Sequence, residues 1–231
     1  MTAIASNLQA IHHAIAHAAQ LAHRQTGRIT LLTVSKGFPA SALREAYGAG
    51  QRIFGENYVQ EALDKMAALH VLPLEWHFIG PIQGNKTRAI AENFAWVHSV
   101  DRLKIAERLS AQRPPDLPPL NVCIQVNVSG EDSKSGAAPE EVVQLAQHIT
   151  QLPHLKLRGL MAIPAPAQGM AAQRKPFAQL RELMQHLNAQ GLQLDTLSMG
   201  MSQDMEAAIL EGATIVRVGS AIFGQRNYGE K

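Results

Sequence analysis

The sequence predicts an α/β protein folded as one TIM (β/α)8 barrel. Eight apolar runs of strand length alternate with segments of helical periodicity, which implies right-handed crossovers and a closed parallel sheet. The first run, from Thr30 to Lys36, has no polar alternation, as expected for a strand covered on both faces. An open, doubly wound sheet is the alternative, but no Gly-x-Gly-x-x-Gly follows the first strand to support it. The 231 residues suffice for one such domain, over residues 1–231.

The elements follow in order along the chain. Ile4, Leu8, Ile11 and Ile15, at near-helical spacing, predict an amphipathic helix over about residues 3–24, ahead of the first strand. Strands are predicted at residues 30–37, 52–57, 75–80, 95–100, 120–128, 155–163, 196–200 and 213–219. Helices are predicted between them, including one capped by Asp101 and one over residues 202–210. The prolines at 114–119 are interpreted as a rigid surface connection, because another strand follows at once.

Composition excludes several classes of function. The net charge is +2 and no run of like charge exceeds two residues, which argues against a nucleic-acid footprint and a membrane-surface patch. No apolar stretch approaches the roughly 20 residues of a membrane span, and the single Cys123 cannot form an internal disulfide, so we expect a cytoplasmic protein. His13 and His17 share the first helix with His12 and His23. No acidic residue accompanies them within the first 44 residues, and we expect no metal site.

The candidate site lies at the C-terminal ends of the predicted strands, where barrels of this type place their chemistry. Lys36 ends the first strand and is interpreted as a Schiff-base lysine, the alternative being a strand-ending lysine that only reaches solvent. Ser202 follows strand seven, which we expect to run directly into a helix with free backbone N–H groups. Gly219 and Ser220 follow strand eight, and loops after strands seven and eight form the usual phosphate site. A lysine amine and a phosphate cradle together describe a site for pyridoxal 5′-phosphate (PLP). The strand-end residues predicted to surround this face are Lys36, Asn57, His77, Asn127, Met161, Met199 and Arg217.

Several motifs resemble one known family. They are Val34-Ser35-Lys36, Phe54-Gly55-Glu56-Asn57-Tyr58, Trp76-His77-Phe78-Ile79-Gly80, Asp132 to Gly136, Gly159-Leu160-Met161, Leu197-Ser198-Met199-Gly200-Met201-Ser202 and Val216-Arg217-Val218-Gly219-Ser220. These motifs, spread over nearly the whole chain, resemble the pyridoxal phosphate homeostasis proteins, which are similar to the N-terminal barrel domain of bacterial alanine racemase. The resemblance implies that PLP is attached to Lys36 and contacted by Asn57, Met199, Gly200, Ser202, Arg217, Gly219 and Ser220. In it, Ser202, Gly219 and Ser220 bind phosphate, although threonine is common at the last position. Arg217 faces the pyridine nitrogen and Asn57 lies near the ring.

Two functions are compatible with such a site. The first is a non-catalytic carrier that binds, buffers and delivers PLP within the cell; the second is a PLP-dependent amino-acid racemase or related enzyme. Racemisation needs a base on each face of the substrate carbanion, and in alanine racemase the second comes from a tyrosine associated with an extra C-terminal domain and dimerisation. This chain ends twelve residues after Gly219, which leaves no room for that domain. We therefore favour a monomeric carrier whose partners are PLP-requiring apoenzymes.

Delivery to an apoenzyme needs a second amine that competes with Lys36. Lys134, in the polar loop after strand five, is a candidate for this transfer role. The alternative is a solvated loop lysine beside Glu131 and Asp132.

Overall fold

The computed structural model describes residues 2–129 and 135–225. Its eight strands are all parallel and pair in sequence order until β8 closes on β1, which confirms the predicted barrel. The strands are β1 Thr30–Val34, β2 Ile53–Glu56, β3 Glu75–Phe78, β4 Trp96–Val100, β5 Leu120–Gln125, β6 Leu155–Met161, β7 Thr196–Ser198 and β8 Ile215–Val218.

Helices surround this barrel in the described part of the chain. They are α1 Ala3–Leu21, α2 Ala40–Gly48, α3 Val59–Ala68, α4 Thr87–Asn93, α5 Leu103–Gln112, α6 Val142–Ile149, α7 Met170–Ala189, α8 Met205–Leu210 and α9 Ser220–Phe223. Helix α1, ahead of the first strand as predicted, packs on α8 and α9. The amide of Asn7 donates to the Ile222 carbonyl at 2.9 Å. This contact ties the N-terminal helix to α9, the helix that begins at Ser220.

Two local predictions were wrong. Asp101 does not cap α5, because the residue before the first turn is Arg102, whose guanidinium instead binds the Asp101 carboxylate at 2.6 Å. The helix expected from residue 202 begins only at Met205. A turn precedes it, in which the carboxylate of Asp204 accepts the Met201 backbone N–H at 2.6 Å. Strand seven therefore does not run directly into a helix.

The apolar core has two layers. The larger lies between the sheet and the surrounding helices, and a smaller cluster fills the barrel interior. That interior cluster comprises Leu32, Trp96, Cys123, Met161 and Ile215. Alternation along each strand assigns neighbouring side chains to opposite layers, so Val34 shares the interior side of β1 with Leu32. Lys36 follows Val34 by two residues and lines the same interior space. The described residues contain no helix long and apolar enough to span a membrane, and no group of three or more potential metal ligands.

Candidate cofactor-binding site

A cavity of about 310 Å³ opens at the C-terminal ends of the strands. Its volume is at the lower end of the range of roughly 300–1,000 Å³ typical of small-molecule pockets. It is lined by Val34, Lys36, Asn57, Ile79, Ile163, Pro164, Pro166, Met201, Ser202, Gln203, Asp204, Arg217, Gly219 and Ser220. Six of the predicted site residues, contributed by the ends of four strands and the loops after them, therefore line one cavity.

Lys36 sits in a tight turn directly after β1. The Phe38 N–H donates to the Ser35 carbonyl at 3.1 Å and Gly37 has a φ of 77°, a combination characteristic of a type II turn. In that turn Lys36 occupies the first central position. Ser35, just before it, is held to the sheet by a hydrogen bond from its N–H to the Gly55 carbonyl at 3.0 Å. The backbone that carries the lysine is thus fixed by both the sheet and the turn.

Two serines and a glycine form the wall that was predicted to bind phosphate. Ser202 and Ser220 are exposed, and neither hydroxyl bonds to another described residue. Gly219 lies where a Cβ atom would come within 2.9 Å of the Val34 carbonyl oxygen. Only glycine therefore lets the end of β8 approach the end of β1, and that approach brings Ser220 and Lys36 into one cavity.

The remaining polar groups fit a small anionic ring compound such as PLP. The side-chain oxygen of Asn57 is buried without a hydrogen-bond partner among the described residues, which leaves an acceptor for a ligand donor. Among the described residues that line the cavity, Lys36 and Arg217 carry cationic groups and Asp204 carries the one carboxyl. An excess of positive charge next to two hydroxyls favours an anion such as a phosphate ester.

Arg217 is fixed below the cavity by three hydrogen bonds. Its guanidinium donates to the Ser198 carbonyl at 2.6 Å, to the Ser198 hydroxyl at 2.8 Å and to the Ala162 carbonyl at 2.8 Å. Burial lowers the pKa of Arg217 to about 10, while the nearby Asp204 carboxylate opposes that shift. The side chain therefore stays cationic at neutral pH.

A chain of hydrogen bonds runs from Arg217 through the barrel interior. The Ser198 hydroxyl lies 2.7 Å from His98 Nδ1, His98 Nε2 lies 2.8 Å from His77 Nδ1, and His77 Nε2 lies 2.8 Å from the Glu75 carboxylate. Because the guanidinium can only donate, the hydroxyl proton points to His98, and each imidazole then donates from Nε2. Burial lowers the pKa of His98 well below its ordinary value and also lowers that of His77. Both imidazoles are therefore neutral at pH 7.

Some predicted residues lie away from the cavity. Met199 is fully buried in the core between sheet and helices, on the outer register of its strand. Gly200 has a φ of 93°, and a Cβ there would come within 2.5 Å of the Ala208 Cβ, so this glycine permits α8 to pack against the strand. His77 does not reach the cavity mouth but belongs to the interior chain, and Met161 packs in the interior cluster. Lys134 lies outside the described residues.

Two of the backbone N–H groups that were expected to be free near Ser202 already have hydrogen-bond partners. The Met201 N–H donates to the Asp204 carboxylate, and the Met199 N–H donates to the Ile215 carbonyl at 3.1 Å.

The sequence analysis missed three residues that line the cavity: Asp204, Pro164 and Pro166. The prolines follow β6 directly, so the strand-end rule that found Lys36 could have found them.

A larger cavity, of about 690 Å³, lies at the opposite end of the barrel. Arg24, Arg28 and Arg158 line it together with Asp195. The donors of Arg158 are already engaged, by Asp195 and by Asn121 at 3.0 Å. Since chemistry in this fold occurs at the C-terminal ends of the strands, the smaller cavity with the lysine is the candidate site.

Comparison with known proteins identifies the class to which this barrel belongs. The family model for the N-terminal domain of alanine racemase matches residues 6–227. The alanine racemase from Corynebacterium glutamicum superposes with a TM-score of 0.68 at 19% identity, covering 99% of this chain and 63% of that chain. At that identity the likeness concerns the fold alone.

Nearer relatives narrow the assignment. The pyridoxal phosphate homeostasis protein of Pseudomonas aeruginosa is 64% identical over 229 residues, which make up 99% of this chain and 98% of the relative. PipY of Synechococcus elongatus, solved with PLP bound, superposes with a TM-score of 0.82 at 40% identity and covers 96% of this chain and 100% of its own. The chain belongs to the alanine racemase N-terminal domain family and, within it, to the pyridoxal phosphate homeostasis proteins.

Proposed function

We propose that this protein binds PLP at Lys36 and acts in PLP homeostasis as a carrier that binds, buffers and delivers the cofactor without catalytic turnover. The observation that carries this proposal is one cavity in which Lys36 shares walls with Arg217 and with the hydroxyls of Ser202 and Ser220. A relative of 64% identity is named for PLP homeostasis, and a relative of 40% identity was solved with PLP bound.

Each lining group has a role toward the cofactor. When bound, PLP supplies an aldehyde that reacts reversibly with amines and a phosphate that carries negative charge. Lys36 would supply the amine. Ser202 and Ser220 would donate hydrogen bonds to the phosphate, while Gly219 lets the backbone come close to it. Arg217, held by Ser198 and Ala162, would present its fixed charge to the ring.

The lining of the cavity also supports a carrier over an enzyme. Racemisation needs a second base besides the lysine. The carboxyl of Asp204, a lining residue, is bound to the Met201 N–H at 2.6 Å. It therefore serves the turn before α8, and moving it toward a substrate would break that bond.

The experiment compares binding with turnover. Cofactor-free protein is titrated with PLP, and the loaded protein is then incubated with L-alanine and, separately, with a PLP-requiring apoenzyme. We expect one PLP per chain, activation of the apoenzyme, and no D-alanine above the level formed by free PLP. Sustained formation of D-alanine at ordinary enzyme rates, about 1 s⁻¹ or faster, would overturn the carrier proposal.

We further propose that the protein works as a cytoplasmic monomer and that Lys134 assists transfer. Cys123, the one cysteine of the sequence, is a free and fully buried thiol, and the lack of cysteine pairs supports a reducing compartment. Lys134→Ala should slow delivery to the apoenzyme while leaving binding at Lys36 unchanged. Equal delivery rates at matched loading would remove Lys134 from the proposal.

A further inference from the structure

A buried ionic cluster lies directly behind the turn that carries Lys36. Its centre is Lys65 of α3, whose side chain is only 6% exposed. The ammonium group lies 2.6 Å from a Glu56 carboxylate oxygen, 2.6 Å from Glu61 and 2.7 Å from the Ser35 carbonyl. We call these four residues, Ser35, Glu56, Glu61 and Lys65, the Lys65 cluster. Ser35 and Glu56 lie on the outer register of their strands and face Glu61 and Lys65 of α3, so the cluster is between the sheet and the helix. None of the four residues lines the cavity.

The Lys65 cluster holds the residues on both sides of Lys36. Before it, the Ser35 hydroxyl donates to Glu56 at 2.7 Å and the Ser35 carbonyl accepts from the Lys65 ammonium. After it, the Gly37 N–H donates to the Glu61 carboxylate at 2.5 Å. Glu61 also binds Lys65, so the two ends of the turn are joined through one ammonium group.

Stability alone does not explain these charges. The Glu56 carboxyl and the Lys65 ammonium are removed from water, and a buried ion pair of this kind contributes little stability compared with apolar packing of similar volume. One oxygen of Glu56 is buried without a partner among the described residues. Burial accordingly raises the pKa of Glu56, against the opposing effect of Lys65. This arrangement carries that penalty where it fixes two backbone groups and one hydroxyl around a single lysine. It therefore points to a geometric requirement at that lysine.

We propose that Glu61 and Lys65 are positioning residues for Lys36. They lock the turn so that the amine is presented to the cavity, which speeds its condensation with an aldehyde-bearing phosphate ester. In that step a C=N bond replaces the C=O bond of the aldehyde, and the oxygen leaves as water with the two protons of the amine. The inference rests on the proposed PLP binding at Lys36. It assigns to α3 a function in the cofactor site, although α3 contributes no residue to the cavity lining.

Glu61 offers the cleanest test because its side chain is 29% exposed and Lys65 keeps Glu56 when Glu61 is replaced. Glu61→Ala removes the acceptor for the Gly37 N–H, whereas Glu61→Gln retains an oxygen there. The matched control is Asp64→Ala, since Asp64 is an exposed carboxylate on the same helix whose partner is Gln60 at 3.0 Å. Melting temperatures of all variants establish that each is folded.

Two ligands separate attachment from simple occupancy of the cavity. The rate of PLP attachment is followed by borohydride trapping at Lys36, and the affinity for pyridoxine 5′-phosphate, which lacks the aldehyde, reports the cavity itself. We expect Glu61→Ala to slow attachment about tenfold, the effect of losing one hydrogen bond to a charged group. Affinity for pyridoxine 5′-phosphate should stay at the wild-type value. Glu61→Gln should recover attachment to within about threefold of wild type, because a neutral acceptor keeps part of that bond.

Three results would overturn the inference. Attachment in Glu61→Ala at the wild-type rate would show that the contact to Gly37 does not position Lys36. Equal loss of PLP attachment and of pyridoxine 5′-phosphate affinity would show a general structural effect, as would a loss in Asp64→Ala of the same size. Absence of attachment in the wild-type protein would instead refute the proposed function, and this inference with it. That outcome is recognised before any variant is compared.

Discussion

Removing the Ser198 hydroxyl is the sharpest test of the hydrogen-bond chain inside the barrel. Ser198 is fully buried and is the only described residue that bonds both Arg217 and His98. Ser198→Ala takes away the acceptor for one guanidinium N–H and the donor for His98 Nδ1. The imidazole nitrogen is left buried without a partner, while the guanidinium keeps its bonds to the Ser198 and Ala162 carbonyls.

The size of the effect follows from these two losses. A buried acceptor left without its donor costs about 1–3 kcal/mol, and a hydrogen bond to a charged group contributes about 1.5–3 kcal/mol. Because Arg217 retains its carbonyl partners, the second loss is at the low end of that range. We expect the free energy of unfolding to fall by about 2.5–4.5 kcal/mol in total. For a domain of this size each kcal/mol corresponds to a lower melting temperature by roughly 2–4 °C.

Urea unfolding of the cofactor-free protein at pH 7.5 measures this change. The matched control is Ser6→Ala, an exposed serine on α1, which should change the free energy of unfolding by no more than about 0.5 kcal/mol. A change in Ser198→Ala as small as that of the control would refute the reasoning. It would mean that the contacts of Ser198 with Arg217 and His98 contribute no net stability.

Two further predictions concern pH and the cavity wall. Since burial lowers the pKa values of His77 and His98 below 6.5, the free energy of unfolding should fall as the pH drops below about 6.5, by up to about 1.4 kcal/mol per pH unit for each histidine. The raised pKa of Glu56 changes the free energy of unfolding in the opposite direction over this pH range. The test is therefore a comparison of variants: the free energy of unfolding should change less steeply with pH in His98→Gln than in wild type. Equal slopes in the two proteins would contradict this prediction. Gly219→Ala places a Cβ 2.9 Å from a β1 carbonyl oxygen and should weaken PLP binding about tenfold in a titration. Gly48→Ala, with nothing within 4 Å, is the control, and equal affinities in the two variants would contradict this prediction.

Much of the fold and of the cavity could be predicted from the sequence for one physical reason. Parallel strands point the same way, so residues at their C-terminal ends meet on one face whatever their distance in the sequence. Lys36, Gly219 and Ser220 follow their strands directly, and the end of an apolar run marks each position. Ser202 lines the same cavity as Lys36, but its helix, α8, begins only at Met205. The start of that helix could not be predicted, because the Asp204 side chain stabilises a turn before it.

The interior chain and the Lys65 cluster could not be predicted in this way. His98 pairs with a histidine 21 positions away and with a serine 100 positions away. Those contacts depend on the register and closure of the barrel, which decide which side chains share an interior layer. In the sequence, Lys65 is indistinguishable from an ordinary solvent-exposed lysine on a helix. Its ammonium group is buried behind the turn only because α3 packs on the sheet. No pattern in the sequence therefore indicates either the interior hydrogen-bond chain or the Lys65 cluster.

The measurement that tests the central claim most directly is the position of the covalently bound cofactor. Wild-type protein is loaded with PLP, reduced with borohydride to make the attachment irreversible, digested, and mapped by mass spectrometry, with Lys36→Ala treated in parallel. We predict one modified lysine, Lys36, and no modification in Lys36→Ala, which should remain folded because Lys36 lies in a turn at the cavity mouth and not in the apolar core. Reduced cofactor on a different lysine, with Lys36 unmodified, would contradict the account.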